Sequence, residues 1–238
     1  MFTIEATMTV LYIDTEHDLV LDHPQHGPPH RARIEAARDR LEAAAGQRCL
    51  VQHFAAISSA GIEQMAPSAL VIGGNRTDWA EFDEASLAGL LGAIRAAPVP
   101  ILGICAGHQL IGRAHGAAWG PLGALRPGEI DPEPAFAPGQ RKERGYLSVE
   151  IDPRCPVFQD LTARPAFFQF HYWQLETIPA GFDIRARSPW SAIQAIERRD
   201  RPVFGVQFHP ERYDADHPYG AVVLRNFFAL AQARPAGA

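Results

Sequence analysis

The chain has 238 residues, 47% of them hydrophobic, with a formal net charge of -5 at neutral pH, and this size suits one large domain over residues 1–238. The acidic balance gives no electrostatic reason to expect nucleic acid or a membrane surface as a partner. Three cysteines are too few for a disulfide framework, and with no signal peptide or membrane-length apolar run they predict a cytoplasmic protein.

Strands and helices are predicted to alternate along the first half of the chain. Apolar runs that predict buried strands stand at residues 8–13, 49–54, 68–74 and 100–102, and amphipathic stretches that predict helices at 31–45 and 82–97. The turn-rich stretch 23–30 (HPQHGPPH) is not expected to form a regular element. Its three histidines lack a carboxylate or cysteine at ligand spacing, which favours a solvated loop over a metal site.

The second half is less regular. Residues 121–145 are rich in Pro and Gly and predict a long loop or hairpin, which borders the active-site mouth, forms a partner surface, or is a solvated insertion. Shorter strand candidates follow at 146–151, 166–173, 182–188, 191–197 and 202–208, before a closing helix over 219–233 with Val222, Val223, Phe227 and Leu230 buried. The whole pattern predicts an α/β fold with a mainly parallel central sheet flanked by helices.

The stretch ILGICAGHQLIG places Cys105 between a buried strand and a helix, with Gly103 and Gly107 two positions away on either side. Such a sharp turn exposes its central side chain, and glycines allow backbone to come close to it. Cys105 is therefore a candidate nucleophile, whereas Cys49 and Cys155 are interpreted as small core residues.

The stretch VFGVQFHPER supplies a candidate base and a carboxylate. Val203 to Phe208 predict a strand, and His209 and Glu211 lie two residues apart just beyond it. In extended backbone these two side chains project from the same side, so the carboxylate can orient the imidazole. A cysteine, a histidine and a carboxylate are the groups that thiolate catalysis requires.

Together, PILGICAGHQLIG and GVQFHPE closely resemble the class I glutamine amidotransferases, glutaminases with a flavodoxin-like fold that provide ammonia for biosynthesis. The resemblance implies that Cys105 is the nucleophile, His209 the base and acid, and Glu211 the orienting carboxylate. The segment VIGGN matches the glycine loop of the family. This match implies that the N–H groups of Gly74 and Ala106 form the oxyanion hole.

The resemblance also implies substrate contacts, at Gly73, Gln109, His171, Tyr172 and Trp173. In the segment FFQFHYWQLETIPAGF, the peptide groups of Tyr172 and Trp173 would hold the amino-acid end of glutamine, and the alternative is a buried aromatic strand. A glycine is common in the family where Tyr172 stands, so this side chain is expected to narrow the pocket or change which γ-glutamyl compound fits.

The implied reaction hydrolyses the side-chain amide of glutamine through a thioester on Cys105, and it needs no metal or organic cofactor. Because the chain has no phosphate-binding loop of the G-x-x-x-x-G-K-[ST] type, the synthetase that uses the ammonia is expected to be a separate chain. Two alternatives remain: a stand-alone γ-glutamyl hydrolase, and a regulatory protein that is catalytically silent.

Overall fold

The computed structural model describes residues 9–233. The helices are α1 (Asp18–Leu21), α2 (Gly27–Ala45), α3 (Ser59–Met65), α4 (Glu84–Ala96), α5 (Ala106–Ala114) and α6 (Tyr219–Gln232). The strands are β1 (Thr9–Asp14), β2 (Arg48–His53), β3 (Ala69–Ile72), β4 (Ile101–Ile104), β5 (Trp119–Pro121), β6 (Glu143–Ser148), β7 (Glu150–Ile151), β8 (Ala166–His171), β9 (Trp173–Leu175), β10 (Phe182–Arg187), β11 (Ala195–Arg198) and β12 (Val203–Val206). The alternation predicted for the first half is confirmed, except that Met8, the first residue of the first predicted strand, lies outside the described residues.

The central sheet has eight strands among the described residues, in the order β2-β1-β3-β4-β12-β11-β10-β7. The first five pair in parallel, and β11, β10 and β7 continue the sheet in antiparallel pairing. The predicted fold class, a mainly parallel sheet flanked by helices, is confirmed. Parallel neighbours end at the same edge of a sheet, and ligands of such sheets bind beyond the carboxyl ends of the strands.

Both faces of the sheet are covered by apolar cores. Helices α2 and α6 contribute Leu41 and Phe227 to the core on one face, and α4 and α5 contribute Leu90 and Leu110 to the core on the other. Every residue of β3 and β4 is buried, as their continuous apolar runs predict. Over residues 9–233, no helix combines the length and the apolarity needed to cross a membrane.

The stretch 23–30 is partly helical, so the prediction of an irregular segment was wrong for its second half. Helix α2 begins at Gly27, and the two prolines that follow occupy its first turn, where a missing N–H interrupts no intrahelical hydrogen bond. The His30 side chain is buried rather than solvated, with Nε2 2.8 Å from the Asp14 carboxylate. Consecutive prolines are typical of turns, but they also suit a helix start.

The closing helix is confirmed over nearly its predicted range, but its buried face differs in detail. Val223 and Phe227 are buried as predicted, whereas Val222 and Leu230 are only partly buried. Phe228 is buried as well. The helix is therefore rotated slightly from the orientation expected from its apolar residues.

The irregular segment of residues 122–142, called here the 122–142 loop, is held by Lys142, the only lysine of the chain. Its Nζ donates to the Asp131 carboxylate at 2.7 Å and to three backbone carbonyls between residues 133 and 137. The Lys142 side chain is 1% exposed. A lysine is buried this deeply only when its ammonium group is fully hydrogen-bonded, so Lys142 fixes the shape of the loop.

We expect Lys142→Met to loosen the 122–142 loop while leaving the central sheet folded. Methionine keeps the length of the side chain but donates no hydrogen bond, so the Asp131 carboxylate and the loop carbonyls lose their common partner. Thermolysin should then cleave within the loop faster than in the wild type, with the sites located by mass spectrometry. Arg154→Met is the control, because the Arg154 side chain is 83% exposed and pairs only with Asp152. Equal cleavage rates in the two variants would contradict the role of Lys142.

Candidate active site

Cys105 lies directly after β4 and before α5, in a strained backbone conformation. Its φ of 53° and ψ of -103° fall in a region that L residues rarely adopt. The flanking glycines serve packing instead: a Cβ on Gly103 would lie 2.5 Å from the Gly107 carbonyl, and one on Gly107 would lie 2.2 Å from the Ile72 carbonyl. The predicted sharp turn is confirmed, with its strain at Cys105 and the glycines allowing α5 to approach β3 and β4.

The segment that follows β12 lies next to Cys105 because β4 and β12 are parallel neighbours. The Cys105 N–H donates to the Val206 carbonyl at 2.8 Å. The thiol is bordered by the Phe170 carbonyl and by Nε2 of Gln207, each 3.7 Å from Sγ. The cysteine motif and the histidine motif therefore meet at one edge of the sheet.

The contact between His209 and Glu211 is confirmed, with Nδ1 of the imidazole 2.7 Å from Oε1 of the carboxylate. The extended backbone that was expected to produce it was wrong. Strand β12 ends at Val206, and the chain turns after His209 so that the Arg212 N–H donates to the His209 carbonyl at 3.1 Å. Pro210, which has no N–H for sheet pairing, lies within this turn.

The electrostatic surroundings of His209 favour its protonated form. Burial by itself lowers the pKa of the imidazole, but the negative charges of Glu211 and of an ionised Cys105 outweigh it and raise the pKa to about 10. Nε2 of His209 makes no hydrogen bond to any part of the chain that the structure describes. This nitrogen is therefore available to exchange a proton with a molecule bound beside Cys105.

Stability should fall as the pH rises through the window that this pKa defines. The folded chain holds a proton on His209 between about pH 6.5 and about pH 10, whereas the unfolded chain has lost it, so the free energy of unfolding decreases across that range. Glu211→Gln removes the main favourable charge and should flatten the decrease. Urea denaturation of both chains from pH 6 to pH 10 measures the difference, in which contributions of unrelated groups cancel. Identical slopes would show that Glu211 does not set the pKa of His209.

Gly74 lies between the cysteine and the histidine. A Cβ at this position would lie 2.9 Å from Cε1 of His209 and 3.2 Å from Cβ of Cys105. Within residues 9–233, the N–H groups of Gly74 and Ala106 donate to no acceptor. The N–H of Ala106 is free because this residue opens α5, and the first N–H groups of a helix have no partner inside it.

Gly74→Ala should lower the rate of ammonia release by at least about 10-fold, because the added methyl group displaces either the imidazole or the thiol. Steady-state kinetics with glutamine measure the loss. Gly92→Ala is the control, since a Cβ at Gly92 would meet nothing closer than 3.9 Å. Wild-type rates in Gly74→Ala would show that the two side chains can move apart without cost.

The backbone of Gly73 is already hydrogen-bonded. Its N–H donates to the Ile13 carbonyl at 2.9 Å, and its carbonyl accepts from the Gly107 N–H at 3.1 Å and from the Thr15 hydroxyl at 3.0 Å. A Cβ here would lie 2.5 Å from the hydroxyl of Tyr12. Gly73 thus packs the loop against β1, and its contact with substrate stays a prediction.

The Gln109 side chain is buried near Cys105, with its amide fully engaged. Nε2 donates to the Trp173 carbonyl at 2.9 Å and to Oε1 of Gln207 at 3.0 Å, and Oε1 accepts from Nε1 of Trp79 at 2.7 Å. Both Gln109 and Trp173 line the pocket that contains Cys105. In this state Gln109 fixes the pocket wall, and its contact with substrate stays a prediction.

The aromatic segment predicted to hold the substrate also lines the Cys105 pocket. The Tyr172 hydroxyl donates to the Asp78 carboxylate at 2.5 Å, and burial together with this carboxylate raises the pKa of Tyr172. Nδ1 of His171 lies 2.9 Å from the Trp173 carbonyl, and its Nε2 lies 3.0 Å from the Glu143 carboxylate. The segment is therefore both a strand and a pocket wall, so the two interpretations do not exclude each other.

The pocket beside Cys105 has a volume of only about 20 Å³ in this structure. This is less than the volume of one water molecule in the liquid, about 30 Å³. Phe136 of the 122–142 loop lines the pocket and stacks on Phe170 with ring centroids 4.5 Å apart. The prediction that this loop borders the active-site mouth is confirmed, and a substrate can enter only if side chains of the pocket move.

Two features of the site were missed in the sequence. The Glu16 carboxylate, fully buried after β1, accepts from the N–H groups of Arg76 and Thr77 at 2.8 and 3.2 Å, and so fixes the loop that follows Gly74. Its position at the carboxyl end of a predicted strand was a usable signal. Phe136 had none, because its place depends on the path of an irregular loop.

Fold and site together have the arrangement of a cysteine-nucleophile enzyme on a mainly parallel α/β sheet. The family model described as glutamine amidotransferase class-I matches residues 44–231, and the chain belongs to this family. Among the described residues, no group of three or more His, Cys, Asp or Glu side chains is arranged to hold a metal ion.

The most similar relatives include proteins of GMP synthesis. The chain is 33% identical over 132 residues to the glutamine-hydrolyzing component of the GMP synthase of Thermococcus kodakarensis, which covers 56% of this chain and 60% of that protein. It is 32% identical over 166 residues to the glutamine-hydrolyzing GMP synthase of Thermomicrobium roseum, covering 70% of this chain and 27% of that protein. The chain therefore spans well under two thirds of either relative's length.

A solved structure shares the fold. The crystal structure of a glutamine amidotransferase from Thermotoga maritima superimposes with a TM-score of 0.67 and covers 97% of this chain and 100% of its own. The two sequences are 15% identical, so this likeness concerns the fold alone.

Proposed function

We propose that the chain hydrolyses the side-chain amide of glutamine and supplies the ammonia to a separate synthetase. One observation carries this proposal: a strained Cys105 lies beside a His209–Glu211 pair joined at 2.7 Å, with Nε2 of the histidine unbonded among the described residues. Membership of the class I family and the glutamine-hydrolyzing relatives support it.

In the proposed reaction, Sγ of Cys105 attacks the γ-carbonyl carbon of glutamine. The N–H groups of Gly74 and Ala106 stabilise the negative charge that develops on the carbonyl oxygen. The C–N bond then breaks as His209 gives its proton to the departing nitrogen, which leaves ammonia and a thioester. Water loses a proton to His209 and attacks the thioester, and the proton returns to sulfur as glutamate departs.

Substrate binding is assigned to Gln109, His171 and the peptide groups of Tyr172 and Trp173, with Gly73 supporting the glycine loop. Because the pocket is too small for glutamine in this state, the proposal includes low basal activity that rises when a synthetase docks at the mouth and opens it. The relatives named as GMP synthases make a synthetase that forms GMP the first candidate partner.

The proposal also includes a single domain over residues 1–238 and a cytoplasmic location. Free thiols support a reducing compartment, since Cys49, Cys105 and Cys155 form no disulfide.

Ammonia release at saturating glutamine tests the function, first with the isolated chain and then with candidate synthetases from the same genome neighbourhood. We expect a slow basal rate and a clear increase with the correct partner. No release under any condition would exclude a glutaminase and leave the silent regulatory protein. Fast turnover that no partner changes would favour the stand-alone γ-glutamyl hydrolase.

A further inference from the structure

A cleft of about 490 Å³ adjoins the small Cys105 pocket. The two cavities share Asn75, Arg76 and Phe170, and the cleft wall includes His209 and Glu211. The cleft is far larger than ammonia requires and has the size of a small-molecule binding site. Since His209 delivers the proton to the leaving nitrogen in the proposed reaction, the cleft lies on the leaving-group side.

The cleft has an excess of positive charge, with five arginines against four carboxylates in its lining. The carboxylates already have partners. Glu16 binds the loop after Gly74, Glu133 pairs with Arg144, Glu211 pairs with His209, and Asp214 lies 3.0 Å from His217. Protonated His209 adds a further positive charge to the same wall.

Three of the arginines have no carboxylate within 4.0 Å in residues 9–233: Arg33, Arg76 and Arg212. The Arg76 guanidinium lies 5.4 Å from the Phe170 ring centroid, and that of Arg212 lies 3.6 Å from the Phe168 ring centroid. Burial and then neighbouring guanidinium groups lower the pKa of Arg33 and of Arg212. The positive charges are therefore close together, partly buried and uncompensated.

We infer that this cleft binds a molecule bearing a carboxylate or phosphate group, held by the guanidinium groups of Arg33, Arg76 and Arg212. Arginine binds such groups in bidentate geometry, and half-buried, unpaired guanidinium groups gain most from an anionic partner. Arg33 lies in α2, outside the residues 44–231 that the family model matches, so this wall of the cleft is an addition to the matched region.

The anionic group has two possible sources. It belongs either to the leaving half of a γ-glutamyl substrate, whose amine carries a carboxylate, or to a separate phosphate or carboxylate compound that binds beside the site. The first source rests on the proposed function, because it uses the same Cys105 and His209 chemistry with an amine other than ammonia as the leaving group.

Calorimetric titration of the Cys105→Ser chain tests the site without turnover, using inorganic phosphate, glutamine and γ-glutamylglutamate as probes. We expect saturable binding of phosphate or of γ-glutamylglutamate that weakens at least about 10-fold when Arg33→Met is added. Arg38→Met is the matched control, since Arg38 lies on the same helix but pairs with Asp39 outside the cleft. Circular dichroism verifies that each variant is folded.

The pattern of binding identifies the source. Binding of γ-glutamylglutamate at least about 10-fold tighter than that of glutamine, with the preference lost in Arg33→Met, assigns the leaving half of the substrate. Arg33-dependent binding of phosphate alone assigns a separate anion. If no probe binds, or if Arg33→Met and Arg38→Met bind the probes equally, the inference is overturned. Ammonia release by the wild type is measured in parallel, and its absence would refute the glutaminase without altering these binding results.

Discussion

Cys105→Ser should reduce ammonia release from glutamine by at least about 1000-fold while leaving the fold intact. Serine is nearly isosteric with cysteine, so the strained turn and the packing around it should persist. Its hydroxyl ionises far less readily than a thiol, and the nearby His209 cannot compensate for this difference. Single-turnover and steady-state measurements of ammonia, together with circular dichroism, separate loss of chemistry from loss of fold.

Cys49→Ser is the matched control for this change. Cys49 is also buried, but it lies on β2 and contacts none of the site residues, and burial raises the pKa of its thiol to about 12. Its serine variant should keep the wild-type rate. A γ-reactive glutamine analogue should label Cys105 alone, as peptide mass mapping can establish. Substantial ammonia release by Cys105→Ser would show that another group is the nucleophile.

The core of the site could be predicted because its residues follow neighbouring strands. Cys105 and His209 lie just beyond β4 and β12, which the sequence marks as buried apolar runs, and parallel strands bring their carboxyl ends together. Glu211 needed only local geometry, although a turn rather than extended backbone joins it to His209. Short-range pattern and strand pairing therefore specify the chemistry of this site.

The surroundings of the site depend on loop conformation, which the sequence pattern does not specify. Phe136 reaches Phe170 only because the buried ammonium of Lys142 gathers the carbonyls of the 122–142 loop. Similarly, Arg33 joins the cleft only because α2 begins at Gly27, inside a stretch whose prolines predict a turn. Substrate selectivity rests on such side chains, so it is less predictable from sequence than the reaction type.

Glu211→Gln should lower kcat by about 100-fold or more and change KM much less. Glutamine can occupy the same volume next to Nδ1 of His209, but it brings no negative charge to stabilise the imidazolium. The pKa of His209, which Glu211 helps to raise to about 10, should fall in this variant. The pH profile of kcat should therefore shift together with the decrease in rate, an effect that a purely structural residue would not produce.

Glu143→Gln provides a matched comparison for Glu211→Gln, because Glu143 forms a second buried pair with a histidine, at 3.0 Å from Nε2 of His171. This pair lies on the wall of the pocket rather than beside the sulfur, so its loss should affect stability or KM more than kcat. If both variants lower kcat equally, the effect of Glu211 is one of packing and not of charge on His209. If Glu211→Gln raises KM at unchanged kcat, Glu211 acts in binding glutamine, and the orienting role proposed for it is wrong.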